Sequence, residues 1–191
     1  PSNSNVTSIA LAANTTVGDL TVSSDAQLDV QTYALTVTGD ATVNGTFAGS
    51  GAAKIAFAGS SAQTLTVSSD DLALPGDVDL QINNAAGVTL AGGDLTMGVG
   101  GNLILTEGLL KTGESNWIDL DDVADVVRTN GAIQGNVRTD ALPSGIASVS
   151  FEYLGTYTNG TAYLRKVKIS ADFDDFAAQN VTELIVGYFD G

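Results

Sequence analysis

Residues 78–105 read VDLQINNAAGVTLAGGDLTMGVGGNLIL. Within this stretch, apolar residues stand two positions apart in four short runs, which end at Ile82, Leu90, Met97 and Leu105. That spacing is the period of a β-strand, in which alternate side chains point to the same face. Clusters of Gly, Asn and Asp separate the runs, and these residues favour turns. The stretch therefore predicts a succession of short strands joined by tight turns.

The same pattern extends toward the N-terminus, and no helical period appears in residues 1–145. Strands this short bury little individually, but stacked turn upon turn they align their apolar positions in continuous columns. We therefore predict an all-β, right-handed parallel β-solenoid over residues 15–145, with about six turns of roughly 20 residues each. The alternative is an antiparallel β-sandwich, which also has many short strands and frequent turns.

Two blocks of the chain match each other in order. Leu20 aligns with Leu80, Leu35 with Leu95, and Ile55 with Ile118. We interpret this match as an internal duplication with a period of about 60 residues, since insertions in turns shift such offsets by a few positions.

Both ends of the chain differ from the repetitive region. Residues 1–14 are predicted to form an N-terminal extension, whose strand pairs within the subunit or is donated to a neighbour. Residues 146–191 hold most of the Tyr and Phe residues and predict an antiparallel β module, with a hairpin turn at Asn159-Gly160 and a last strand over 183–189. This module would cap the solenoid, because open solenoid ends are adhesive edges.

Charge narrows the classes of partner. Asp and Glu number 22 against 7 Lys and Arg, so the formal net charge is −15. A nucleic-acid backbone is excluded because its recognition needs basic patches. No run reaches the length of a membrane-spanning segment, so we expect no membrane insertion. We expect self-association into a homo-oligomer or filament, and cell-surface glycans are the second class of partner.

Several segments carry a resemblance to a known group of proteins. The segments 57–65, 80–90 and 103–113 resemble repeat regions of large secreted surface proteins of Bacteroidota-type bacteria, and 127–138 resembles a segment that often follows such repeats. The resemblance covers roughly residues 55–140. It implies export, a β-helical region and attachment at the cell surface, and it transfers no catalytic residue.

Candidate binding residues are few. The chain has no His and no Cys, which excludes Ser-His-Asp and Cys-His sites as well as the usual zinc sites. The acidic run with Asp119, Asp121, Asp122 and Asp125 could chelate Ca²⁺, because calcium takes six to eight oxygen ligands. No other cofactor is expected. A solvated acidic turn is the alternative for this run.

Carbohydrate contacts are the other kind of site that we weigh. Trp117, Tyr157 and Tyr163 could stack on sugars, although Trp117 could equally pack against the solenoid. A polysaccharide hydrolase would need paired carboxylates across a sugar. Four candidates with alternating spacing are Asp19, Asp29, Asp77 and Asp79.

These observations favour a non-enzymatic extracellular structural protein. We expect a subunit of a self-assembling surface fibre, sheath or layer, or the stalk of an adhesin, joined through terminal strands or solenoid ends. A carbohydrate-binding adhesin module and a polysaccharide-degrading β-helix enzyme are the alternatives.

Overall fold

The computed structural model describes residues 7–68, 71–113, 115–120, 126–139, 167–169 and 184–186. These residues form an all-β structure in which parallel sheets are stacked as a β-solenoid of about five turns. The predicted solenoid is thus confirmed, and the β-sandwich alternative is wrong because the strands of the stacked sheets pair in parallel. The described residues contain no helix that could cross a membrane.

Successive strands of one turn lie on three faces, which we number in chain order. The first face carries β1 (Thr7–Ala10), β4 (Ala26–Asp29), β7 (Thr46–Ala48), β10 (Leu72–Ala73), β13 (Leu95–Met97), β15 (Trp117–Leu120) and β17 (Asn136–Thr139). The second carries β2 (Thr15–Val17), β5 (Ala34–Val37), β8 (Lys54–Phe57) and β11 (Asp79–Asn83). The third carries β3 (Leu20–Val22), β6 (Ala41–Val43), β9 (Gln63–Val67) and β12 (Val88–Ala91). Two longer strands, β14 (Leu103–Lys111) and β16 (Val126–Gln134), run across both the second and the third face.

Register shows the length of each turn. On the second face, Thr15 pairs with Leu35, Leu35 with Ile55, Ile55 with Leu80, Leu80 with Leu103, and Leu103 with Val126. The spacing of these partners is shortest at the N-terminal end, so the turns lengthen along the chain. Since neighbouring strands lie about 4.8 Å apart, these five steps span roughly 24 Å.

The core consists of inward columns with one side chain per turn. On the second face, one such column contains Leu35, Ile55, Leu80 and Leu103, each at most 2% exposed. Because each member contacts the equivalent residue one turn away, every turn is stabilised by burial against its two neighbours. The apolar period that identified the strands therefore also builds the core.

The two matching blocks of the sequence place their equivalent residues on different faces. Leu20 belongs to β3 on the third face, whereas its match Leu80 belongs to β11 on the second. Likewise, Leu35 lies on the second face and Leu95 on the first. The matched residues are therefore not separated by a whole number of turns, and the structural repeat is the single turn.

The ends of the chain are described only in part. β1 pairs in parallel with β4 of the same chain, so this terminal strand lies within its own subunit. In the C-terminal part, β18 (Val167–Ile169) and β19 (Leu184–Val186) pair in antiparallel fashion, as predicted for that region. The predicted turn at Asn159-Gly160 lies outside the described residues.

Close stacking at the corners predicts a graded response to added methyl groups. A Cβ at Gly108 would lie 1.7 Å from the backbone oxygen of Asn84, and Gly108 has φ +84°. We expect Gly108→Ala to lower the free energy of unfolding by more than about 3 kcal/mol, measured by urea denaturation.

Two other glycines serve as controls for this prediction. Gly113 also has a positive φ, but a Cβ there meets nothing within 4 Å, so Gly113→Ala should cost only about 1–2 kcal/mol of backbone strain. Gly18 has neither constraint, and Gly18→Ala should change stability by less than about 0.5 kcal/mol. Equal effects at Gly108 and Gly113 would contradict the close approach of the two turns.

Candidate functional site

The predicted calcium site is represented by one of its four residues. Asp119 lies in β15, in register with Thr96 of the preceding turn, and is only 7% exposed. Asp121, Asp122 and Asp125 lie outside the described residues, so calcium binding stays a prediction. In the part of the chain that the structure describes, no three acidic side chains are grouped closely enough to hold a metal ion.

The aromatic candidates are likewise represented by one residue. Trp117 begins β15 and is half-buried, and its backbone N–H donates to Oδ1 of Asp94 at 2.8 Å. The strand that carries it belongs to the first face, so Trp117 does not occupy the second-face position of Lys54 with which it aligned in sequence. Tyr157 and Tyr163 lie outside the described residues, and a shared sugar-binding surface stays a prediction.

The carboxylates considered for sugar hydrolysis are spread over the solenoid. Asp29 lies in β4 on the first face, Asp79 in β11 on the second, and Asp19 directly before β3 on the third. A pair that acts across one glycosidic bond needs its two carboxyl groups on one site. The fold does not bring these three residues together.

Polar side chains at the starts of strands instead connect consecutive turns. Asp19 Oδ1 accepts the N–H of Asp40 at 3.0 Å, and Asp40 Oδ1 accepts the N–H of Thr64 at 2.8 Å. The same contact recurs at 2.8–2.9 Å in the pairs Asn14 to Ala34, Asp71 to Asp94, Asp79 to Asn102 and Asp94 to Trp117. Each such oxygen satisfies an N–H at the point where the parallel ladder begins. We call this set the Asx ladder.

A buried amide network connects three turns at the corner between the second and third faces. Gln63 Nε2 donates to the backbone oxygens of Val37 and Gly39 in the preceding turn. Asn84 Nδ2 donates to Ser61 O at 2.7 Å and to Gln63 Oε1 at 2.8 Å. Asn84 and Gln63 are only 1% and 3% exposed, so their amides are satisfied entirely by the chain.

A third set of contacts lies at the corner between the third and first faces. Asn116 Nδ2 donates to Leu90 O at 3.1 Å, and Asn136 Nδ2 donates to Asn116 O at 3.1 Å. Within the described residues, each side-chain contact of an Asp or Asn between turns has the same polarity. The oxygen acceptor belongs to the earlier turn, and the N–H donor belongs to the later turn.

The N-terminal end of the solenoid is the most prominent unpartnered feature of the described residues. All three strands of the first turn are edge strands, because β1 ends one sheet and β2 and β3 are the two ends of another. Ile9 heads an inward column that continues through Leu28 to Phe47. Ile9 is 61% exposed, whereas Phe47 is 6% exposed. We call the triangle of β1, β2 and β3 the N-terminal end face.

At the opposite end, the last turn repeats this arrangement on the second face. Val126 follows Leu103 in an inward column, but it is 41% exposed, and its neighbour Val127 is 49% exposed. Exposure of a residue in a core column is expected where the next turn is missing. Within the described residues, β14 is the only strand that pairs with β16.

The amide network also yields a test. Replacing Asn84 with Ala removes two donors and one acceptor and leaves Ser61 O without its donor in a dry corner. We expect Asn84→Ala to lower the free energy of unfolding by about 3 kcal/mol, measured by urea denaturation. The neighbouring Asn83 is exposed, so Asn83→Ala should cost less than about 0.5 kcal/mol. Equal costs at both positions would show that the network adds nothing.

For the Asx ladder, the acceptor can be separated from the charge. Asp40→Asn keeps an oxygen for the N–H of Thr64 and removes one of two carboxylates stacked in neighbouring turns. Asp40→Ala removes the oxygen as well. We expect Asp40→Ala to destabilise by about 1 kcal/mol and Asp40→Asn to be neutral or slightly stabilising, since like charges in register repel. A cost for Asp40→Asn equal to that of Asp40→Ala would contradict the acceptor role.

Comparison of the chain with protein-family models, with curated proteins and with solved structures finds no match.

Proposed function

We propose that this chain is a non-enzymatic extracellular structural protein, the subunit of a surface fibre, sheath or layer or of an adhesin stalk. The observation that carries the proposal is the N-terminal end face, where three edge strands and the exposed Ile9 meet at the end of a stacked ladder. Such an edge is a ready template for another strand.

Stiffness supports the same role. Each turn is connected to the next by strand pairing on its faces, by apolar columns and by corner hydrogen bonds. Stacked repeats of this kind transmit force along the axis without a separate scaffold, as solenoids and cross-β stacks do. A rod of this construction is suited to being a spacer or a fibre segment.

Composition supports a solvated location outside the cell. The net charge of −15 keeps a repetitive, edge-bearing protein soluble before it assembles. The absence of Cys leaves no thiol that would be sensitive to an oxidising exterior. The resemblance of residues 55–140 to repeat regions of secreted surface proteins points to the same location.

The carbohydrate-binding alternative has less support among the described residues. Trp117 is half-buried, and its backbone is held by Asp94, so its ring is only partly available for stacking on a sugar. For a hydrolase, the candidate carboxylates lie on separate faces. The structural role therefore accounts for more of the described molecule.

Assembly tests the proposal. We expect purified protein to form filaments or sheets as its concentration rises, seen by negative-stain electron microscopy, and to sediment as a concentration-dependent series. Antibodies against the folded protein should label intact cells of the source organism without permeabilisation. Monodisperse monomers at all protein, salt and calcium concentrations, or labelling only after permeabilisation, would overturn it.

A further inference from the structure

We propose that two copies of this chain join head to tail, with the N-terminal end face of one copy stacked on β16 of the other. This inference rests on the proposed function and specifies its joint. In this arrangement, β2 lies on the first part of β16, over Val126–Asn130, and β3 on its second part, over Gly131–Gln134. The ladder of the second and third faces then continues from one copy into the next.

Hydrogen-bond polarity selects this orientation. In the Asx ladder, the oxygen always belongs to the earlier turn and the N–H to the later one. The N-terminal end face therefore presents the donor side, through the N–H groups of Asn14 and Asp19, which are the register equivalents of Ala34 and Asp40. Two such faces would set donors against donors, whereas a head-to-tail joint sets donors against the acceptor side of the other copy.

Charge selects the same orientation. Residues 7–48, which form the first turns, contain four Asp and no Lys or Arg. Residues 126–139, which form β16 and β17, contain Arg128 and Arg138 and no acidic residue. Head-to-head contact would bring two acidic ends together, so complementary potentials favour the head-to-tail joint.

Apolar columns continue across such a joint. Val126 occupies the column of Leu35 and Leu80 and is 41% exposed, and Thr15 is the first member of that column. The neighbouring outward column ends at Val127, which is 49% exposed, and begins at Thr16, which is also exposed. Stacking Thr15 and Thr16 on Val126 and Val127 would cover both valines.

The first face determines what happens to β1. Along the spiral, β17 comes after β16, just as β1 comes before β2, so the joint assigns β1 of one copy and β17 of the other to the same level of the first face. All four residues of β1 are exposed, and only β4 pairs with it among the described strands. We therefore assign the place on β4 to β17 of the other copy, and β1 leaves the face. Because donor and acceptor surfaces differ, the joint is heterologous and propagates into a filament.

Disulfide trapping tests the joint in a chain that has no cysteine of its own. Register partners in neighbouring parallel strands lie about 4.8 Å apart, within the Cα range of a disulfide. We expect the double variant Thr16→Cys and Val127→Cys to lose its monomer band on oxidation and to give a ladder of oligomers on a non-reducing gel, with the bond between positions 16 and 127 identified by mass spectrometry. These positions are five turns apart within one chain, so no intramolecular bond competes.

Control variants separate the possible outcomes. A mixture of the two single variants should give dimers only, and Thr16→Cys combined with Thr89→Cys, an exposed position in the middle of the third face, should give no ladder. Dimers of Thr16→Cys alone would indicate a head-to-head joint and overturn the inference. Filaments of the unmodified protein without a bond between 16 and 127 would overturn the joint but not the proposed function, whereas absence of any assembly would overturn both.

The displacement of β1 has its own test in the full-length chain. Ile9→Asp introduces a charge into an exposed strand that the joint removes from the first face. We expect the cross-linking yield of the double variant to stay within twofold when Ile9→Asp is added. A tenfold loss of yield, with an unchanged circular dichroism spectrum, would show that β1 stays in place and would overturn the exchange with β17.

Discussion

The structure depends on one constraint, which is that a short strand acquires partners only from the turns directly before and after it. Thr15 reaches Leu35, and Leu35 reaches Ile55, but no described strand of the solenoid pairs with another strand of its own turn. Backbone groups and apolar side chains are therefore satisfied along the axis and not across a globular centre. The core columns, the glycine corners and the exposed ends all follow from this arrangement.

At the corners, the backbone leaves the ladder and needs other partners. The Asx ladder supplies oxygens for N–H groups at the starts of strands, and Gln63 and Asn84 supply amide donors for carbonyl groups between turns. This requirement explains part of the acidic composition, because several Asp residues act as acceptors and not only as solubilising charges. Stacking Asp19 beside Asp40 costs some electrostatic repulsion, which is limited because both side chains are exposed to solvent and each accepts a backbone N–H.

Sequence predicts the strands of this fold well and their placement poorly. Runs such as Leu35-Thr-Val37 and Leu65-Thr-Val67 identify themselves by their period of two, and both are strands. The face on which each run lies is not encoded in that period, since similar runs occur on all three faces. For this reason the match of Leu20 with Leu80 related strands of different faces, which a whole number of turns does not separate.

Buried polar residues were beyond reach for a related reason. Asn84 stands in an Asn-Asn pair that is typical of an exposed turn, and only the stacking of three turns shows that its amide is buried against Gln63 while Asn83 is exposed. The polarity of the Asx ladder is likewise visible only once the register is known, because the sequence shows Asp before an apolar run but not which turn accepts it. The candidate interface at the N-terminal end follows from the same knowledge, since Ile9 resembles any other inward residue until the missing turn beside it is seen.

The similarity between turns has a consequence for association as well as for prediction. A strand in the middle of the ladder pairs with neighbours that differ from it in detail but share its period, its inward columns and the polarity of its corner contacts. The last turn of another copy meets the same conditions as a preceding turn would, so the rule that stacks β5 on β2 also permits β2 to stack on β16. A solenoid with an open end thus carries within each turn the information for adding the next one, and assembly requires no recognition chemistry beyond that which already holds the chain together.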